Sequence, residues 1–177
     1  MVEPTPPRAS AVLVPVYRDD HGDLRVVLVV RGTEGIHGGQ LALPGGKPEP
    51  TDRGLRDTAL RETEEEIGLS AGDIEVIAEL DPVDTRTTGW RVHPFLARVP
   101  ATARWRPMPG EVTAVVTPLA RALADPTRRR TEMLSFPTWP QPRPAECVDV
   151  DGHLLWGLTL RLLDTVLPRL LAGEWAV

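Results

Sequence analysis

Leu43-Pro44-Gly45-Gly46-Lys47 and, further on, Arg61-Glu62-Thr63-Glu64-Glu65-Glu66-Ile67-Gly68-Leu69 are the two stretches on which the reading of this chain turns. Glycine and proline dominate residues 32–50, through His37-Gly38-Gly39-Gln40 and Pro44-Gly45-Gly46-Lys47-Pro48, with Leu41-Ala42-Leu43 between them. Such a stretch cannot be a helix and reads as a loop holding one short strand. The second stretch closes a helix expected from about Asp52 to Ile67. Thr51 or Asp52 is its expected N-cap, Gly68 the residue just past its end, and Leu69 follows.

On a wheel of about 100° per residue, Leu55, Ala59, Leu60, Thr63 and Ile67 make one buried face. Glu62, Glu65 and Glu66 form a stripe bordering it, Arg61 lies beside Glu65, and Glu64 falls on the far side. Like charges at i,i+3 and i,i+4 destabilise a helix by roughly 0.2–0.5 kcal/mol per pair. Partial burial raises that cost unless a cation joins the group. Hard carboxylate oxygens in a concentrated negative field are what Mg²⁺ or Mn²⁺ requires, and Arg61 is placed to pair with Glu65 one turn on. A run of acids on a helix is by itself usually a solvated face. The loop before it shifts the balance, because Gly45-Gly46 lets backbone approach a ligand with no side chain between. A glycine-rich loop running into a helix also favours phosphate. Loop and stripe together outline a metal-diphosphate site.

Working outward, Ala11–Tyr17 suits a buried strand, with Pro15 favouring an edge or a bulge. Asp19–Asp23 is turn chemistry and Leu24–Val30 is the clearest strand, so the two strands read as a hairpin. Ile74–Leu80, Arg91–Val99 and Val112–Val116 follow as strands, the second paired with an earlier one. Pro118–Ala124 reads as a short helix begun by Pro118, Arg128–Ser135 as a strand, and Phe136–Pro144 as proline-rich loop. His153–Leu171 has helical apolar spacing and reads as one amphipathic helix. Without regular βα alternation, the class is α+β, a mixed sheet flanked by helices. Residues 1–8 are an extended lead-in and 9–177 one domain.

The 177 residues are 41% hydrophobic and 25% charged, with a net charge of −5. That is ordinary for a soluble globular domain and lacks the basic footprint of bulk nucleic-acid binding. Every basic residue but Lys47 is arginine, and Cys147 is the single cysteine, so no internal disulfide is available. The proline-rich start has no apolar core of a signal peptide, and no window reaches the length of a membrane span. The expectation is a cytoplasmic protein without a nucleic-acid or membrane partner.

These residues resemble the Nudix hydrolases. The family motif runs Gly, five residues, Glu, seven residues, then Arg-Glu-apolar-any-Glu-Glu-any-Gly-apolar. Here Gly46 is followed by five residues and Asp52, then eight residues and Arg61–Leu69. Asp52 replaces the usual Glu, the spacer is one residue longer, and Thr63 stands at an apolar position. The match covers about a seventh of the chain. With its longer spacer, Leu43–Lys47, Asp52 and Thr58-Ala59-Leu60-Arg61-Glu62 look like the coenzyme A pyrophosphatase branch, as do His37–Gln40, Val92-His93-Pro94 and Trp156-Gly157-Leu158-Thr159. That branch usually carries a Leu-Arg pair before the His, where this chain has Glu34-Gly35.

The resemblance implies an α/β/α sandwich that hydrolyses a nucleoside diphosphate derivative with Mg²⁺ or Mn²⁺. By position, Glu62, Glu65, Glu66 and the Gly45 carbonyl would hold metal, with Arg61 orienting. The general base would be Glu65, Glu66 or Glu111, the last lying where many members place a late acid. Arg31, Gly46 and Lys47 would meet the substrate, expected to be coenzyme A or an acyl-CoA. ADP-ribose, NADH, a dinucleoside polyphosphate or an NTP are the alternatives within the family, and a non-catalytic nucleotide-binding regulator is the alternative outside it. Related enzymes are often homodimers. His37 reads as a structural loop residue, and Trp90, Trp139 and Trp156 as core.

Overall fold

A computed structural model of the chain describes residues 7–32, 38–85, 88–136 and 139–177; the expectations for His37 and for Glu34-Gly35 lie outside them. The first strand, β1 (Arg8–Arg18), turns at Asp19–Asp23 into β2 (Leu24–Val26), with which it pairs antiparallel. The Asp19 carboxylate accepts the His21 and Asp23 amides and so closes the turn. The strand expected from Leu24 to Val30 breaks at Val27. β2 stays with β1, whereas β3 (Leu28–Arg31) leaves for a second sheet. At the break the Val27 amide donates to the Pro15 carbonyl.

β4 (Leu41–Ala42) pairs with β3, and β5 (Gly45–Gly46) pairs with β1 as Ala11↔Gly46 and Val12↔Gly45. The helix α1 spans Leu55–Ile67. Beyond it come β6 (Glu75–Glu79), β7 (Val83–Asp84), β8 (Trp90–Arg98) and β9 (Val112–Val116). β8 runs parallel to β1 from Arg8↔Trp90 to Val16↔Arg98. The first sheet therefore has the order β2-β1-β8-β6, with β5 on β1 and β7 on β8, while β4-β3-β9 form the second. This places Pro15 in an interior strand rather than at an edge. Its carbonyl still accepts the Val27 amide, and the bond its ring removes is the return bond at the position where the chain leaves β1 for the second sheet.

β1 feeds two cores by alternation. Ala11 and Leu13 face Ala59, Ile67, Phe95, Ala97 and Val112 around α1. Val14 and Val16 face Leu96, Val148, Leu162, Leu163 and Val166 on the opposite side. Each Val, Leu, Ile or Phe among them stabilises the fold by about 1.5–3 kcal/mol on leaving water.

The second half of the chain departs further from expectation. α2 covers Ala120–Ala124, beginning two residues after Pro118, because the Pro118 carbonyl is used by the Val26 amide. β10 (Arg130–Leu134), β11 (Arg143–Val150) and β12 (His153–Trp156) form a third, antiparallel sheet. Arg143 and Pro144, expected in a loop, begin β11. The helix expected from His153 starts only at Gly157: α3 is Gly157–Leu171. Asp151 and Gly152 have φ of 52° and 83°, the two positive values of a tight hairpin turn, so His153–Trp156 pairs back on β11 before the helix begins. Leu160, Leu162, Leu163, Val166, Leu167 and Leu170 of α3 are buried. Helices thus lie on both sides of sheet, the α/β/α arrangement expected. No helix among the described residues is long and apolar enough to cross a membrane.

Candidate active site at the glycine loop and α1

α1 presents its buried face much as the wheel places it: Ala59, Thr63 and Ile67 are buried, with Leu55 and Leu60 half-buried. Thr63, polar at an apolar position, donates its hydroxyl to the Ala59 carbonyl at 2.7 Å, which satisfies it one turn back. The C-terminus matches expectation, since Gly68 is left-handed and its amide reaches the Glu64 carbonyl. The N-terminus does not. The cap is Gly54 with no side-chain hydrogen bond, and neither Thr51 nor Asp52 caps the helix.

Asp52 turns instead onto Arg61. Arg61 Nε and Nη2 donate to Oδ1 and Oδ2 of Asp52 at 3.0 and 3.1 Å. Nη2 also donates to the Lys47 carbonyl at 2.9 Å and to Glu62 Oε1 at 3.2 Å, and Nη1 donates to Glu65 Oε2 at 3.0 Å. The Asp52 side chain is 5% exposed and also accepts the Thr58 hydroxyl. Its charged hydrogen bonds to Arg61, with help from the Glu49 amide, hold its carboxyl far below the usual carboxylate range. The same bonds raise the Arg61 guanidinium above its ordinary value. Arg61 is therefore a fixed hub that ties the loop, the pre-helix turn and two glutamates together. The pairing with Glu65 is the expected one, and the salt bridge to Asp52 is an addition that the sequence spacing did not disclose.

The expected stripe of three carboxylates is divided. Glu62 and Glu66 face the glycine loop, whereas Glu65 is 48% exposed and turned to Arg61. Among the described residues no three His, Cys, Asp or Glu side chains are gathered into a closed cluster. Glu66 is buried and its Oε2 accepts the Gly45 amide at 3.0 Å. Burial pushes its carboxyl up to about 7, against the opposing pull of that amide and of Arg31, while the charges of Glu62 and Glu111 push the same way as burial. Burial also raises the Glu62 carboxyl, opposed by Arg61 and by the Lys47 amide.

Both glycines are required by close approach. A Cβ on Gly46 would lie 2.3–2.7 Å from the Glu62 carboxylate. At Gly45, where φ is +149°, a Cβ would lie 2.3 Å from the Ala11 carbonyl oxygen and 2.6 Å from the Val12 Cα. The site therefore holds two desolvated carboxylates against bare backbone, with the rest of the acidic stripe at its margin. A divalent cation fits this donor set: hard oxygens, like charges close together, and burial that disfavours their ionised forms until a cation compensates.

Two further expected residues converge here. Arg31 ends β3, half-buried, and Glu111 lies just before β9; both act electrostatically on Glu66. The backbone holds them, since the Gly32 amide donates to the Glu111 carbonyl at 2.7 Å and the Glu111 amide to Met108 at 3.2 Å. The segment before Glu111 docks on the end of α1, with the Arg106 amide on the Ile67 carbonyl at 2.8 Å and the Met108 amide on Glu66 at 2.9 Å. Lys47 is exposed. The tryptophans expected in the core are only partly buried. Trp139 and Trp156 pack with Phe136 at ring-centroid distances of 5.7–5.9 Å, and Trp90 carries Arg8 and Lys47.

A mixed sheet between helices, with a glycine loop strand-paired to β1 and closed on a Glu-rich helix, defines a Nudix-type domain. The NUDIX domain family profile matches residues 7–136, and the chain belongs to the Nudix family. It is 39% identical over 130 residues to Nudix hydrolase 15, mitochondrial, of Arabidopsis thaliana, a match covering 71% of this chain and 45% of that protein. The chain thus spans about half the length of that relative. It is 34% identical over 165 residues to the uncharacterized Nudix hydrolase NudL of Salmonella newport (strain SL254), covering 88% of this chain and 79% of that one. Among solved structures, a Nudix hydrolase from M. smegmatis, RenU, superposes with a TM-score of 0.64 at 17% identity, over 98% of this chain and 91% of its own. That likeness shows the shared fold.

Proposed function

We propose that this chain is a divalent-metal-dependent pyrophosphohydrolase of nucleoside diphosphate derivatives, with coenzyme A or an acyl-CoA as substrate, giving 3′,5′-ADP and 4′-phosphopantetheine. The observation that carries the hydrolase reading is the seating of Glu62 and Glu66 against Gly45-Gly46. Burial makes both carboxylates costly to ionise there, and a cation would relieve that cost. Glu62, Glu65, Glu66 and the Gly45 carbonyl would hold Mg²⁺ or Mn²⁺. Bound there, such an ion neutralises charge on the diphosphate and activates a water. Arg61 keeps Glu62 and Glu65 in place, and its own position is locked by Asp52. Arg31 offers a guanidinium fork to a phosphate oxygen, and Gly46 and Lys47 line the approach. Of the candidate bases, Glu111 is preferred over Glu65 and Glu66, which serve as ligands. It comes from a third segment, and its carboxylate makes no hydrogen bond or ion pair among the described residues. The coenzyme A assignment rests on the likeness of Leu43–Glu62, with its longer spacer, to that branch.

The test is a substrate panel of CoA, acyl-CoA, NADH, ADP-ribose, dinucleoside polyphosphates and NTPs with Mg²⁺ or Mn²⁺, with products separated by chromatography. Cleavage of CoA that stops on chelation is the expected result. CoA left intact while another substrate is cleaved removes the coenzyme A assignment and keeps the hydrolase. A panel left wholly intact removes both.

A further inference from the structure

The parallel register that sets Arg8 opposite Trp90, and the antiparallel one that sets Ala11 opposite Gly46, bring three segments to one end of β1. There the Arg8 guanidinium lies 4.2 Å from the centroid of the Trp90 ring and the Lys47 ammonium 5.4 Å from it. Arg8 donates to the Thr88 carbonyl at 3.0 Å. Neither cation has a carboxylate partner among the described residues, whereas the neighbouring Arg61 and Arg91 are both paired with carboxylates. Two uncompensated cations share one indole in a chain whose net charge is −5. They also border the acidic site directly, because Lys47 follows Gly46 and its amide supports Glu62.

A cation resting on an aromatic face keeps its charge and its outward donors while its side chain is held in place. Two such cations recognise an anion. The ring face that carries the guanidinium is already filled, which argues against a base stacking on it. We propose that Arg8 and Lys47, held on Trp90, form a subsite for a phosphate group of the substrate outside the diphosphate that is cleaved. This rests on the reading of the glycine loop and α1 as a pyrophosphohydrolase site. The phosphate is either a monoester on the nucleotide ribose or the end of a longer phosphate chain.

The experiment measures kcat/KM with Mg²⁺ for pairs differing by one phosphate: CoA against dephospho-CoA and NADPH against NADH for the ribose monoester, and NTP against NDP for the chain. In the wild type one pair should favour the phosphorylated member by about tenfold or more, mainly through KM, which also identifies the source. In Arg8→Met, Lys47→Met and the double variant that ratio should fall stepwise towards one. Trp90→Leu, which leaves both cations without their support, should lower it too, and Trp90→Phe should restore part of it. A ratio unmoved in the double variant, or no pair showing a preference in the wild type, overturns the subsite while the hydrolase reading stands. If no pyrophosphate is cleaved, calorimetry of 3′,5′-ADP against 5′-AMP and of ATP against ADP decides separately. Tighter binding of the more phosphorylated member of either pair that is lost in the double variant supports the subsite, and equal binding within both pairs overturns it.

Discussion

Arg61 and Asp52 face each other through two hydrogen bonds of 3.0 and 3.1 Å, although they stand nine positions apart across a helix start. That pair turns Arg61 away from solvent and fixes the guanidinium from which Glu62 and Glu65 hang. Asp52→Asn keeps the shape and removes the charge. It should lower kcat by about tenfold or more, on the scale seen when a group orienting a metal ligand is lost. Substrate KM should change less. Asp52→Glu, which matches the residue usual at this motif position, should recover more activity than Asn. Full activity in the Asn variant would show that Arg61 needs no such anchor.

The pH dependence of stability in the metal-free protein has a definite sign. The Glu66 carboxyl is pushed up from 4.5 to about 7 by burial, so the folded chain keeps a proton that the unfolded chain releases. The stability linked to that proton is complete below about pH 4.5 and is lost as pH rises through about 7, on the order of 3 kcal/mol in all. Glu62, also raised, adds to the same slope. Asp52 is depressed, so its contribution is present above its ordinary 3.8 and is lost only as pH falls below it, outside that window. Urea denaturation at stepped pH should therefore show declining stability from pH 5 to pH 8. Mg²⁺ should restore it most at the upper end.

Glu66→Gln should separate folding from activity. It should flatten that slope and make the metal-free protein more stable than the wild type at pH 8, while turnover falls by about 100-fold or more. Glu65→Gln, at a half-exposed position, should weaken metal binding and turnover with almost no change in melting temperature. Wild-type rates in both variants would remove these residues from the site.

The two loop glycines should fail in different ways. The atoms nearest a Cβ at Gly46 are all at the far end of the Glu62 side chain, which can swing aside. Gly46→Ala should therefore fold normally and lose activity through a displaced Glu62. At Gly45 the Cβ meets the backbone of β1 and the φ is positive, so Gly45→Ala should cost about 3 kcal/mol of stability. Equal melting temperatures for the two would contradict this geometry.

Much of the first half was legible in the sequence because its signals are local. The β1–β2 turn, the acidic helix with Gly68 behind it, and β9 follow from turn residues and periodicity. What was not legible depends on partners remote in sequence. Asp52 looks like an N-cap until Arg61 is seen to take both its oxygens. Leu24–Val30 looks like one strand because nothing in its β-branched run says that its ends join different sheets. His153–Trp156 shares the apolar content of α3, and only Asp151-Gly152 between apolar runs announces the hairpin. Of the site, Glu62, Glu66 and the glycine loop came from spacing. The neighbourhood of Arg8 and Trp90 depends on the β1–β8 register, which no local pattern carries.

The docking of Arg106 and Met108 on the last carbonyls of α1 makes that segment part of the helix ending rather than a free connection. Its length is consequently set at both ends, by Ile67 and Glu66 on one side and by the Gly32 contact with Glu111 on the other. A residue inserted between Met108 and Glu111 would shift Glu111 against Glu66. The same insertion at the exposed turn of residues 101–102 leaves every one of these bonds in place. Length variation among relatives should accordingly gather at that turn and spare the stretch from Arg106 to Glu111.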